Sequence, residues 1–154
     1  MVEMAMASVL NSSSMIEVKR IEPENIQSLS QGLNTLIESF SLNHLTKLVK
    51  DDRSYFLVAI LDKQPVGYIL VYKFPALNSN KTLAYLYDIE VLESHRRNGI
   101  GRKLIEDILV VLKNAEVEEL WLGTATDNLA GQALFKSTGA EKSNEIFHDY
   151  TYTL

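Results

Sequence analysis

Arg96-Arg97-Asn98-Gly99-Ile100-Gly101 combines residue types and spacing suited to holding an anion. An apolar run, Leu83 to Leu92, precedes it, and Leu104, Ile105, Ile108, Leu109, Val111 and Leu112 follow with helical spacing. The glycines therefore fall at a strand-to-helix turn. Glycine at 99 and 101 removes side chains where a backbone must approach a ligand and permits turn conformations that other residues resist. Amides at the start of a helix, at the positive end of its dipole, suit a diphosphate. The stretch is not G-x-x-x-x-G-K-[ST] and lacks the three-glycine dinucleotide fingerprint, which argues against a nucleotide-hydrolysing P-loop and a dinucleotide site. Taken alone, it also fits an ordinary turn with two solvated arginines.

Asp88 and Glu90 are the second chemical group. Two residues apart on one strand, they project from the same face. Acids are unwelcome inside a buried strand, so either that face is open to water or the carboxylates do work there. An amine with a pKa near ~10.4 is almost wholly protonated at neutral pH, and a carboxylate can both attract it and help remove a proton.

A third block, Asn128-Leu129-Ala130-Gly131-Gln132-Ala133-Leu134-Phe135-Lys136-Ser137-Thr138-Gly139-Ala140, lies downstream across a strand-like run from Glu119 to Ala125. The two blocks in this order resemble the R-x-x-G-x-G and N-x-x-A-x-x-L-Y-x-x-x-G-F signatures of GNAT-type N-acetyltransferases, over about Met15 to the C-terminus. The resemblance implies an α/β fold with a mixed, mostly antiparallel sheet and helices on both faces in a single domain. It also implies acetyl transfer from acetyl-coenzyme A to an amine. The cofactor would lie along Ile89 and Val91, the latter pairing its main chain to pantetheine. Its pyrophosphate would sit against Arg96, Arg97, Asn98, Gly99, Ile100, Gly101 and Arg102, with Asn128 and Phe135 as further contacts. Asn128 is equally a plain helix N-cap, and the two roles can coexist.

Tyr87-Asp88-Ile89-Glu90-Val91 with His95-Arg96-Arg97-Asn98-Gly99-Ile100 is similar, more narrowly, to the Y-D-L-x-V and H-R-R-x-G-I of class I aminoglycoside 3-N-acetyltransferases. That similarity puts Asp88 at the acceptor amine as the first catalytic carboxylate; Glu90, on the same strand face, is the second. It places Tyr87 beside them. His148 joins them through Glu145-Ile146-Phe147-His148, which is similar to an E-x-x-H in the same group. A surface or core-edge histidine is the other reading of His148. One departure matters: the Tyr that often protonates the departing sulfur is Phe135 here. The thiol then leaves as thiolate, takes a proton from water or from Tyr85 or Tyr87, or the chain is a non-catalytic binder of the cofactor.

Composition narrows the choice. With 15 basic against 20 acidic residues the formal charge is −5, which argues against the basic face of a nucleic-acid binder. The absence of cysteine excludes disulfides, thiolate metal sites and a cysteine nucleophile, so transfer would be direct. Three dispersed histidines without H-x-x-x-H spacing offer no metal site. No run approaches the ~20 apolar residues of a membrane span, and a cytoplasmic enzyme for a small cationic amine, aminoglycoside-like or polyamine-like, is expected, with a homodimer as a candidate assembly. A protein acetyltransferase is the competing reading.

These residues need elements to position them. Met1 to Ser14 reads as a disordered leader, and 15–154 as the domain. Met15 to Arg20 predicts a strand. A helix begins at Pro23, with an apolar stripe through Ile26, Leu29, Leu33, Leu36, Ile37 and Phe40. A short helix spans His44 to Lys50, and strands Tyr55 to Leu61 and Val66 to Tyr72 flank the turn Asp62-Lys63-Gln64-Pro65. Strand Glu119 to Ala125, a helix from Leu129 to Ser137 and a closing pair of strands through Tyr152 complete the pattern.

Overall fold

A computed structural model of the chain describes residues 15–154; the expected leader lies outside them. Five strands form one sheet in sequential order: β1 (Glu17–Arg20), β2 (Ser54–Leu61), β3 (Gln64–Pro75), β4 (Thr82–Val91) and β5 (Val117–Trp121). The first four pair antiparallel and β5 runs parallel to β4, as a crossover through a helix requires. The helices are α1 (Ile26–Leu29), α2 (Leu42–Lys50), α3 (Ile100–Asn114) and α4 (Leu129–Ser137).

The sheet is covered on both faces. Ile100, Leu104, Ile105, Ile108 and Leu112 of α3 recur at helical spacing and are buried against Leu57, Ile69, Val71 and Leu86, with Leu134 and Phe135 of α4 packed alongside. Leu109, expected in that stripe, is turned outward and 39 % exposed. The opposite face carries Ile26, Leu33 and Leu45 against Phe56, Val58, Tyr68 and Leu70. Such burial contributes about 1.5–3 kcal/mol for each large apolar side chain, which is why both strand faces read as apolar.

The β2–β3 hairpin turns on two residues, Asp62 and Lys63, both at positive φ (49° and 64°). That geometry matches the twist of the flanking strands, and Gln64 and Pro65 belong to β3. The single long helix expected from Pro23 to Phe40 is instead α1 followed by a 3-10 turn at Leu33–Thr35. Gly32, at φ 82°, breaks it; a β-carbon there would stand 3.0 Å from the Pro65 ring. The hairpin tip thus presses where the helix would continue.

Two expectations for the C-terminal third fail. β5 ends at Trp121, because beyond it the chain diverges from β4 and Leu122 to Ala125 have no strand to pair with. The closing pair of strands is not formed either. Residues 141–154 are exposed and carry no regular secondary structure. The chain leaves α4 through Gly139 at φ 101° and runs past the end of β5, where Phe147 comes against Gly123.

Gly101 lies where α3 meets α4, and a β-carbon there would stand 2.9 Å from Leu134 Cδ2. Gly101→Val should therefore cost about 1–3 kcal/mol through overpacking, a fall of roughly 2–10 °C in melting temperature for a chain of this size. An unchanged melt by circular dichroism would show that the α3–α4 contact does not need glycine.

Candidate functional site

The site is built on a bulge in β4. Leu70 faces Asp88 and Val71 faces Leu86, so Tyr87 is an extra residue between them. Directly opposed residues share a face. Asp88 therefore lies on the side of Leu70, and Glu90 on that of Tyr68, its own partner. Tyr85 faces Tyr72 in register, and the Tyr87 ring meets Tyr72 edge-on at 5.8 Å. Strict alternation would divide the two tyrosines from the two acids; the bulge puts all four on the α1–α2 side.

The two carboxylates have different partners. Tyr68 Oη donates to Asp88 Oδ2 at 2.6 Å. Burial, then the hydrogen bond to Asp88, pushes the Tyr68 hydroxyl well above the usual tyrosine range, so it stays a donor at every physiological pH. Glu90 Oε1 instead takes Arg96 Nη2 at 2.9 Å, with both side chains half-exposed. At that exposure the pair is worth at most about 1 kcal/mol. Arg96 Nε also donates to the Val91 carbonyl at 3.1 Å. Asp88 has no cationic partner among the described residues.

Beyond Tyr85 and Trp121 the strands β4 and β5 part. The amide of Leu92 bonds Val66 O, and the two-residue period of an antiparallel ladder sends the backbone groups of Glu90 and Asp88 the same way, toward β3. Those of Ile89 and Val91 consequently face the gap. A cavity of about 720 Å³ lies beside the point of divergence, lined by Phe74, Tyr85, Trp121, Leu122 to Thr126, Phe147 and Asp149.

Below this gap the chain turns into α3 with Arg97 at φ 64° and Gly99 at φ 79°. Gly99 caps the helix without a side-chain bond. The amides of Ile100, Gly101 and Arg102 have no acceptor within the helix, as in any first turn. A β-carbon at Gly99 would meet no atom within 4 Å, so the approach to those amides is open. These residues fit a diphosphate: free donors, a helix dipole and the Arg97 side chain close by in sequence.

The structure sorts the expected residues by what they touch. Gly101 faces Leu134, so its missing side chain serves helix packing where a ligand approach was expected. The Arg102 guanidinium reaches Glu106 and the Ser137 carbonyl, each at 3.4 Å, which ties α3 to the end of α4. Asn98 Nδ2 bonds His95 O. Asn128 is the N-cap of α4: its Oδ1 accepts from Gly131 N at 3.0 Å and its Nδ2 donates to Thr124. Gly131 leaves the room that this cap needs. Phe135 packs on the core beneath α3. His148, expected in a terminal strand, lies in the irregular segment, exposed; its neighbours Phe147 and Asp149 line the cavity.

Tyr68, the bulge and the Arg96–Glu90 pair escaped the sequence reading. Each depends on β3–β4 register, which no local pattern carries. A buried tyrosine in an otherwise aliphatic strand, Val66 to Val71, was the one visible signal.

Comparison with known proteins agrees with this geometry. Residues 21–140 match the acetyltransferase (GNAT) family. An N-alpha-acetyltransferase of Sulfurisphaera tokodaii is 29% identical over 122 residues, 75% of this chain and 73% of that protein. An aminoglycoside N(6')-acetyltransferase type 1 of Acinetobacter haemolyticus is 25% identical over 114 residues, 72% of this chain and 79% of its own. Among solved structures, the aminoglycoside acetyltransferase meta-AAC0020 from an uncultured soil metagenomic sample, in complex with sisomicin, superposes with a TM-score of 0.77 at 27% identity. That superposition covers 90% of this chain and 96% of the other. Since the family match runs through both motif blocks and most of the sheet, the chain belongs to the GNAT family and is an N-acetyltransferase that takes its acetyl group from acetyl-coenzyme A.

Proposed function

We propose that the chain acetylates a primary amine of a small cationic molecule, aminoglycoside-like or polyamine-like, with Asp88 as the acceptor carboxylate. One observation carries this reading: Asp88 is held through one oxygen by Tyr68, while Glu90 is matched by Arg96. Asp88 is thus the exposed acid with its charge available. The sisomicin complex of a relative at 27% identity supports the acceptor class.

Acetyl-coenzyme A supplies the thioester. The Asp88 carboxylate attracts the ammonium form of the acceptor and orients it after a proton has passed to the carboxylate or to water. The amine nitrogen then bonds the acetyl carbon as the carbon–sulfur bond breaks, and the proton that nitrogen sheds in becoming an amide passes to water or to the departing sulfur. Phe135 has no proton to give, so sulfur departs as thiolate, which a thiol pKa near ~8.5 permits, or is protonated by a hydroxyl on the same face, Tyr85 or Tyr87. The backbone of Ile89 and Val91 is oriented to pair with the pantetheine arm. Arg96 would have to release the Val91 carbonyl for that pairing to be complete.

A second reading, acetylation of a protein N-terminus, is supported by the archaeal N-alpha-acetyltransferase relative. Turnover of acetyl-coenzyme A with a panel of aminoglycosides and polyamines, against peptides with free α-amines, separates them. Activity on peptides alone would reject the small-amine reading.

Asp88→Asn should lower kcat/KM for the best amine about 100-fold or more while leaving acetyl-coenzyme A affinity within about twofold. Full turnover by Asp88→Asn between about pH 6 and 9 would remove Asp88 from the mechanism.

Tyr68 has a folded-state pKa above its unfolded value. Its contribution to stability is therefore complete below an unfolded value of about 10 and declines as pH rises toward the folded one. Melting temperature should fall above about pH 10, and less steeply in Tyr68→Phe. Parallel alkaline profiles for the two proteins would contradict the assignment.

A further inference from the structure

The cavity beside the divergence of β4 and β5 has the size of a small-molecule site, about 720 Å³, and an aromatic lining that acetyl transfer at Asp88 does not use. Three of its rings lie on the α1–α2 side of the sheet. Tyr85 stands opposite Tyr72, Trp121 stands beside Tyr85 on β5, and Phe74 follows Tyr72 by two residues on β3. The rings of Tyr85 and Phe74 are centred 4.8 Å and 6.3 Å from that of Trp121 and inclined to it by 66° and 85°, so they form adjoining walls and not a stack. Phe147 adds a fourth ring. Trp121, the one tryptophan of the chain, is 48% exposed. Asp149 is the single charged residue of the lining, and it has no cationic partner among the described residues. Aromatic faces attract cations through the ring quadrupole, tryptophan most strongly, and an unmatched carboxylate adds to that attraction.

We infer that this cavity holds a second ammonium group of the acceptor, so that the preferred substrate is a diamine or polyamine held at two points. The inference rests on the reading of Asp88 as the acceptor carboxylate. Tyr85 precedes Asp88 by three residues, one of them the bulge, and about 7–10 Å of strand therefore separates the two positions. Tyr87 lies between them, 66% exposed, and its ring offers a floor for the intervening carbon chain. Amino sugars and linear polyamines share this chemistry.

Steady-state acetylation of α,ω-diamines from ethane to decane, each against the monoamine of the same carbon count, tests the inference. A diamine of matching span should exceed its monoamine at least about tenfold in kcat/KM, chiefly through KM, since a remote group supplies binding and not chemistry. Trp121→Leu and Asp149→Asn should each lower that ratio about threefold or more, with Trp121→Phe keeping part of it. Asp149 is exposed, so its replacement reports on charge with little risk to the fold. An aminoglycoside whose kcat/KM also falls in Trp121→Leu marks amino sugars as occupants too, and an effect confined to the diamines marks the open chain alone. Monoamines equal to their diamines would make the cavity an apolar-tail site, and a ratio indifferent to both variants would put the second nitrogen elsewhere; either result overturns this inference while leaving the role of Asp88 standing. No turnover with any small amine would overturn both.

Discussion

The parting of β4 from β5 after Tyr85 and Trp121 is the constraint on which the site depends. A strand interior in a sheet of this kind has every amide and carbonyl paired. Here the backbone groups of Ile89 and the amide of Val91 stay out of the sheet because β5 pairs only with the first half of β4, while the Val91 carbonyl accepts from Arg96 Nε. The opening persists because the other side is rigid: β3 pairs with β4 from Pro75 to Gly67. Ile100 and Leu104 of α3 lie against Gly67, where a β-carbon would stand 2.9 Å from the Glu90 carbonyl. The same close packing brings the start of α3, with its free amides, under the end of β4.

Charge is distributed over this frame in a way that separates donor from acceptor. Arg97 and the first-turn amides of α3 follow the end of β4, while Asp88 and Tyr68 lie on the α1–α2 side. Arg96 spans the two through Glu90 and the Val91 carbonyl. In the proposed reaction, an anionic cofactor and a cationic acceptor would be drawn to opposite sides of one cleft, an arrangement that favours direct transfer. The bulge at Tyr87 is the device that aims the acids; without it Asp88 and the tyrosines would point to opposite faces.

Local patterns carried much of this. Helix α4 was legible to the residue, because Asn128 is a good cap and Ser137 precedes a glycine turn. The Gly99 turn and the shared face of Asp88 and Glu90 were legible for the same reason: each depends on spacing within one element. What required the tertiary structure was register and competition. The helix expected over Pro23 to Phe40 is interrupted because the Pro65 ring sits against Gly32, a contact 33 residues away along the chain and so invisible to any helical period. Gly101 has the motif spacing of a ligand glycine, yet its neighbour is Leu134. The strand pattern near Tyr152 is genuine as a pattern, but no strand within the described chain accepts it.

The central claim is that the open first turn of α3 behind Gly99 holds the cofactor diphosphate. Titration calorimetry of acetyl-coenzyme A with wild type and Gly99→Val tests it most directly, since a side chain there meets no protein atom within 4 Å; Gly99→Ala, which carries the strain that any β-carbon meets at φ 79° without the added bulk, is the control. The account predicts binding weakened at least about tenfold in the variant, a loss of some 1.4 kcal/mol, with circular dichroism retained. Undiminished affinity in a folded Gly99→Val protein would contradict it.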